Sequence, residues 1–298
     1  MPDPMPALSL VAMPGRRQKT IELAKEMEDR GFQGIFGPSF GDVLSLCLSI
    51  GHVTERIPMG SSILPIYIRP AHDVAATASY LAEVTGGRFH LGLGVSHRPV
   101  HQRLGVTVGK PLADTRQYVE TIKKVIGDAA MPPIVLATLR DKMLDLAIEI
   151  GDGAVWANAS RSYMPTQTAR VPRDRPFFVG NMIPTVIDED RDAARAVNRK
   201  TLTGYVSLPN YRNYWKAAGY VEEMEGIEKA IEAGDRDAVA RFMTDRWLDD
   251  CTISGSVTQV REQVEAWFDA GVTTPIVVPS STSGGQLKAI EEIFAAYA

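Results

Sequence analysis

The sequence predicts an α/β protein, and within that class a (β/α)8 TIM barrel with a helical insertion before the last strand. Three observations lead there. Short apolar runs rich in Val, Ile and Phe alternate with longer stretches of helical periodicity. Such alternation implies parallel pairing, because a parallel crossover needs a dozen or so residues and a helix supplies them. Eight strand candidates are found, each followed by a helix or a helical region, and the 298-residue length is near that of a barrel. Alternation alone also admits an open doubly wound sheet, which the count of eight disfavours. No Pro/Gly/Ser-rich linker divides the chain, so residues 1–298 read as one domain.

Ala7–Met13 is strand-like and ends at Pro14-Gly15. Arg17–Arg30 reads as a helix with Ile21, Ala24 and Met27 on one face and Gly31 as its stop. Phe32–Gly37 is the second strand, before a short apolar helix over Val43–Ile50. Pro58–Tyr67 is the third, followed by a helix over Ala71–Val84 that Gly86-Gly87 closes. Arg88–Val95 is the fourth strand, and Tyr118, Val119, Ile122 and Ile126 mark the next helix. Pro133–Leu139 with Met143–Ile150 repeats the pair, Ala154–Ala157 opens a sixth unit, and Pro176–Val186 is the seventh strand. A mostly helical stretch follows, from about 189 to 250. Ser256 with Gln259 fits a capping box before an apolar face of Val257, Val260, Val264 and Trp267, and Thr274–Val278 closes the series.

Composition narrows the function. Hydrophobic residues make up 45% and charged residues 23%, which excludes wholesale disorder and fibrous repeats. The formal net charge of -4 shows neither the basic excess nor the Lys/Arg stripe of a nucleic-acid binder. Cys47 and Cys251 form no metal or disulfide pattern, and no His/Asp/Glu cluster has ligand spacing, so a metal site is not expected. No apolar run approaches roughly 18 residues and no targeting segment is visible. These features together give the expectation of a cytoplasmic protein with two reduced thiols and no membrane contact.

In a barrel the active site lies at the carboxyl ends of the strands. The fourth strand ends in GLGVSHRPVHQR, Gly92 to Arg103. Its glycines leave backbone bare for a flat ring or a phosphate, while Ser96, His97, Arg98 and His101 supply donors and a proton carrier. A Gly-rich turn with solvated histidines reads equally well. Arg69 follows the third strand beside Pro65 and Pro70, a pattern that a plain turn before a helix also explains. After the fifth strand, Arg140 and Lys142 at a helix start suit an anion cradle, or a solvated basic pair.

Taken together these segments resemble the bacterial luciferase-like superfamily of flavin and deazaflavin oxidoreductases, and within it the branch that uses coenzyme F420. The likeness rests on Ser61–Pro99, with GGRF and a strand ending GLGVS, and on Pro132–Asn158, Leu208–Tyr220 and Val260–Val278. The resemblance implies a flavin-type ring across the barrel mouth, backed by a non-prolyl cis peptide at Ser62–Ile63. It implies that Gly94, Val95 and Ser96 lie along the cofactor, with Ser39 nearby. By the same likeness Ala137, Thr138, Leu139 and Arg140 hold its phosphate-bearing tail. Sugar-phosphate dehydrogenases of the superfamily carry an Asp-His pair after the second strand. Here Ser39 and Phe40 stand there, which argues against oxidation of a sugar hydroxyl.

The leading reading is an oxidoreductase moving a hydride between C5 of F420 and a small organic substrate. His97 or His101 serves as the catalytic proton donor, and Phe40, Tyr67 and Trp156 are candidate substrate contacts. A monooxygenase using FMN is the second reading, and a barrel that binds ligand without turnover is the third. Tyr211, Tyr214 and Trp215 are expected to pack a helix rather than cap the pocket. The resemblance also implies a homodimer.

Overall fold

Most strands are short and sealed on both sides, as a sheet sheathed by helices requires. The structure, a computed structural model, describes residues 5–39 and 41–298. The ten strands are β1 (Ala7–Ser9), β2 (Ile35–Gly37), β3 (Met59–Ser61), β4 (Leu64–Pro65), β5 (Phe89–Gly94), β6 (Ile134–Ala137), β7 (Gly153–Ala157), β8 (Phe178–Ile187), β9 (Ile253–Gly255) and β10 (Thr274–Ser280). The described residues form two compact units, one of Met5–Trp156 with Val171–Gly180 and the other of Ala157–Arg170 with Asn181–Ala298.

In the first unit the strands run β1-β2-β3-β5-β6-β7, all parallel, each beside its neighbour in sequence. A doubly wound sheet must reverse direction partway, and this order never does. The fold is a (β/α)8 barrel. The first strand is shorter than the expected Ala7–Met13, because its partner β2 offers only Ile35 and Phe36 opposite Leu8 and Ser9.

The third strand, expected to be continuous, breaks into β3 and β4. Gly60 pairs with His90 and Leu64 with Leu93, so four steps on one side match three on the other. One extra residue is thus stored as a bulge. The Ser62–Ile63 peptide within it is cis, where the resemblance placed one.

Two charged side chains fix the amino-terminal side of this wall. Glu28, buried on the helix Arg17–Asp29, accepts the backbone N–H groups of Glu55, Arg56 and Ile57 at 2.8, 2.6 and 2.9 Å and pairs with Lys25 at 3.0 Å. Burial alone would raise its carboxyl pKa, but these donors outweigh it and hold the pKa at about 2. Arg88, the arginine of GGRF, donates to the carbonyls of Gly51, Thr54, Ile57 and Thr85 and to the Thr54 hydroxyl, all at 2.9–3.0 Å. Those carbonyls include the ends of the helices Val43–Val53 and Ala71–Val84, which lack intrahelical donors. Between strands, Phe36, His90 and Phe178 meet at ring-centroid distances of 5.3–6.0 Å and fill the interior. Burial lowers the His90 pKa, keeping this packed imidazole neutral.

The second unit carries the helices Arg191–Val206, Pro209–Ala217, Val221–Glu232, Arg236–Phe242 and Asp245–Cys251 as the expected insertion. Tyr211, Tyr214 and Trp215 are buried in it, with Trp215 set edge-on to Trp247 at 4.8 Å. The Tyr214 hydroxyl accepts from Ser160 N–H at 3.1 Å, and the Trp215 indole donates to the Asn158 carbonyl at 3.2 Å. The insertion ends in β9, an unanticipated strand of three residues parallel to the end of β8. Asn198 caps that addition from the side, donating to the Ile253 carbonyl and the Ser254 hydroxyl at 3.0 Å. The capping box of Ser256 and Gln259 opens the helix Val257–Asp269 as expected. Among the described residues no helix is long and apolar enough to cross a membrane.

Glu28 fixes a pH dependence. Its stabilising effect is complete above its ordinary pKa of 4.5 and lost as pH falls toward about 2. Replacing it as Glu28→Gln is expected to cost about 3 kcal/mol at neutral pH. It should also flatten the decline of stability below pH 4.5, as followed by chemical denaturation.

Candidate active site

Three residues expected around a cofactor come together at the carboxyl ends of the strands. A Cβ placed on Gly94 would stand 2.9 Å from the Ile63 side chain and 2.8 Å from the Ala137 methyl. Ile63 and Ala137 thus both stand against Gly94, and both are half-buried and show part of their surface. A side chain at position 94 would fill the space between them. Gly92 has a different reason to be glycine: a Cβ there would collide with the Ser61 carbonyl. The Ser61 hydroxyl donates to the Gly92 carbonyl at 2.8 Å and accepts its N–H at 3.0 Å. A serine side chain therefore makes the two bonds that the ladder loses at the bulge. The bare backbone at Gly92 is taken up by the neighbouring strand rather than left open.

Beyond β5 the chain turns through Val95 and Ser96, the latter at φ 60°, a left-handed conformation that non-glycine residues adopt rarely. His97 then caps the helix Arg98–Leu104, with Pro99 in its first turn. His101, on that helix, places Nε2 2.5 Å from the Val95 carbonyl. Its ring meets the edge of Tyr67 at a centroid distance of 5.5 Å. The Tyr67 hydroxyl donates to Asp114 at 2.7 Å. Burial and this carboxylate push the phenol pKa upward, so Tyr67 stays protonated. Burial, with His101 as a smaller cause, lowers the His97 pKa and leaves it mainly uncharged at neutral pH.

The turn after β6 offers donors. Thr138 N–H donates to the Val155 carbonyl at 2.9 Å, but its buried hydroxyl has no partner. Leu139 and exposed Arg140 follow, and Arg140 caps the helix Asp141–Ile150 with no side-chain cap of its own. A buried hydroxyl beside an uncapped helix start suits an acceptor-rich group such as phosphate, to which exposed Arg140 adds charge.

The remaining expected residues are more dispersed. Ser39 is exposed in the bend after β2, and Phe40 lies outside the described residues. Ser62 is buried beside Ser61. Trp156 is 1% exposed within β7, and its indole N–H has no acceptor. No cluster of three metal-binding side chains occurs among the described residues. Sequence reasoning missed Ser61 and Asp114. Ser61 is one of two adjacent serines with nothing in the pattern to separate them, and Asp114 sits 47 residues from the tyrosine it binds.

The family model for luciferase-like monooxygenases matches residues 6–274. The chain belongs to this family. Among the luciferase-like relatives is a putative coenzyme F420-dependent oxidoreductase of Mycobacterium tuberculosis, 27% identical over 89% of this chain and 91% of that one. A 5,10-methylenetetrahydromethanopterin reductase of Archaeoglobus fulgidus is 27% identical over 85% of each chain. In fold, the chain is similar to the coenzyme F420 dependent tetrahydromethanopterin reductase of Methanopyrus kandleri, with a TM-score of 0.71 over 99% of this chain and 100% of that one, at 18% identity. Like these luciferase-like proteins it is an enzyme of the oxidoreductase class.

The Ser61–Gly92 contact gives a sharp expectation. Gly92→Ala forces a methyl group against the Ser61 carbonyl and should cost more than about 3 kcal/mol, or prevent accumulation of folded protein. Ser61→Ala loses two hydrogen bonds without a clash and should cost about 1–3 kcal/mol by the same thermal unfolding assay.

Proposed function

We propose that this protein is a coenzyme F420-dependent oxidoreductase that moves a hydride between the deazaflavin and a small organic substrate. The observation that carries the reading is the approach of Ile63 and Ala137 to a bare Gly94, beside the unpartnered Thr138 hydroxyl. Together they offer a flat apolar support next to a phosphate-type donor. Two relatives named for F420 or for methanopterin reduction lend it further support. The Ile63 side chain and the Gly94 backbone would support the ring, with Val95 and Ser96 along it. Thr138, Leu139 and Arg140 would take the tail. When bound, the deazaflavin supplies a ring carbon that carries hydride.

The chain's own tasks are to orient that ring, to exclude water and to exchange one proton. His97 is assigned the exchange. Uncharged at neutral pH, it stands in the form that can accept a proton, and it donates one only below its lowered pKa. A cytoplasmic setting belongs to the same proposal, supported by two buried free thiols, Cys47 and Cys251. A homodimer belongs to it through family likeness.

Titrating the apoprotein separately with F420 and with FMN, following absorption and fluorescence, tests the reading. Binding of F420 with hydride exchange to an acceptor is expected. Binding of FMN alone with oxygen uptake would establish the monooxygenase instead, and binding without turnover would leave a carrier. In the proton-consuming direction the rate should fall as pH rises above the lowered His97 pKa. In the reverse direction it should rise with pH and level off. His97→Asn should remove that limb and slow turnover by roughly 10²-fold.

A further inference from the structure

We propose that His101 is a positioning residue: its Nε2–H latches the turn after β5, while Tyr67 and Asp114 hold its ring in place. The inference rests on the proposed site, because Val95 and Ser96 in that turn would run along the cofactor. A carbonyl oxygen can only accept, so the 2.5 Å contact between Nε2 and the Val95 carbonyl places the proton on Nε2. That N–H is engaged, and delivering it to a substrate would release the turn. His101 is therefore poorly placed to be the proton-exchanging group.

The turn has a reason to need a latch. Ser96 takes φ 60°, which the surrounding structure must impose on a residue with a Cβ. The latch is itself braced by Tyr67, which Asp114 holds in turn. Tyr67 comes from the segment after β4 and sets its ring perpendicular to His101, at an interplanar angle of 84°. The Tyr67 hydroxyl reaches Asp114 on the helix Pro111–Ile126 at 2.7 Å. A Cβ on Gly109 would stand 2.7 Å from that carboxylate, so the loop before the helix closes tightly over it. The imidazole is thus held between the Val95 carbonyl and a tyrosine that is itself tied to a third segment. Tyr67, expected to touch substrate, becomes a brace in this reading.

The test uses the full chain labelled with ¹⁵N-histidine and needs no cofactor for its first part. Long-range ¹H–¹⁵N spectra, with His101 assigned by its loss in His101→Gln, should show the Nε2–H tautomer with slow exchange. A proton on Nδ1 alone, or a rapidly averaging ring, would overturn the latch. In the second part F420 is titrated into each variant. His101→Leu should weaken binding about 10-fold, the loss of one hydrogen bond. His101→Gln, which keeps an N–H donor at similar reach, should recover most of that loss, and Tyr67→Phe should fall between. An unchanged dissociation constant in His101→Leu would refute the proposal. So would disappearance of the pH-dependent limb of turnover in His101→Gln rather than in His97→Asn. If the wild type takes no F420, the functional reading fails, while the tautomer and the amide exchange of Ser96 in His101→Leu still decide the latch.

Discussion

The two hydrogen bonds between Ser61 and Gly92 carry the wall of the first unit across the point where its ladder is interrupted. The extra residue between β3 and β4 would otherwise leave both backbone groups of Gly92 without partners inside the sheet. A hydroxyl serves because it both donates and accepts at one atom. With that seam closed, Ile63 leans against Gly94 at the end of β5, which Ala137 at the end of β6 also approaches. The proposed support for a flat ring is therefore a by-product of how the sheet repairs its own irregularity.

The polar side chains singled out at the two ends of this wall are used differently. Toward the amino-terminal side, Glu28 and Arg88 are saturated with backbone partners and tie loops and helix ends into the scaffold. At the carboxyl ends, Ser39, Arg98 and Arg140 are exposed. GGRF, one of the stretches that carry the resemblance, accordingly contributes a structural arginine. What is most conspicuous in the sequence builds the barrel, and the residues assigned to chemistry sit in turns of no fixed pattern.

Local periodicity was enough to read the helix Val257–Asp269 and its cap, because Ser256, Gln259 and the apolar face all lie within one stretch of chain. It was enough for the succession of strands for the same reason. It missed β9, whose three residues follow directly on a helix and are strand only because the end of β8 lies beside them. It also read the third strand as unbroken, since a slip of register depends on the partner strand and leaves no mark on the strand that carries it. The candidate site divides in the same way. Gly94 and Thr138 were legible as turn residues at strand ends. The fastening of His101 to Val95, and of Tyr67 to Asp114, depends on contacts between segments that no spacing rule connects.

The Arg88 fork has one more implication. Five hydrogen bonds, four to carbonyls of neighbouring loops and helix ends and one to the Thr54 hydroxyl, make the foot of the barrel intolerant of change, since even lysine lacks the planar geometry to replace them. The rim bears no comparable burden. Descendants of such a chain can diverge at the opening, acquiring new selectivities by altering exposed loops, while the base is inherited almost intact.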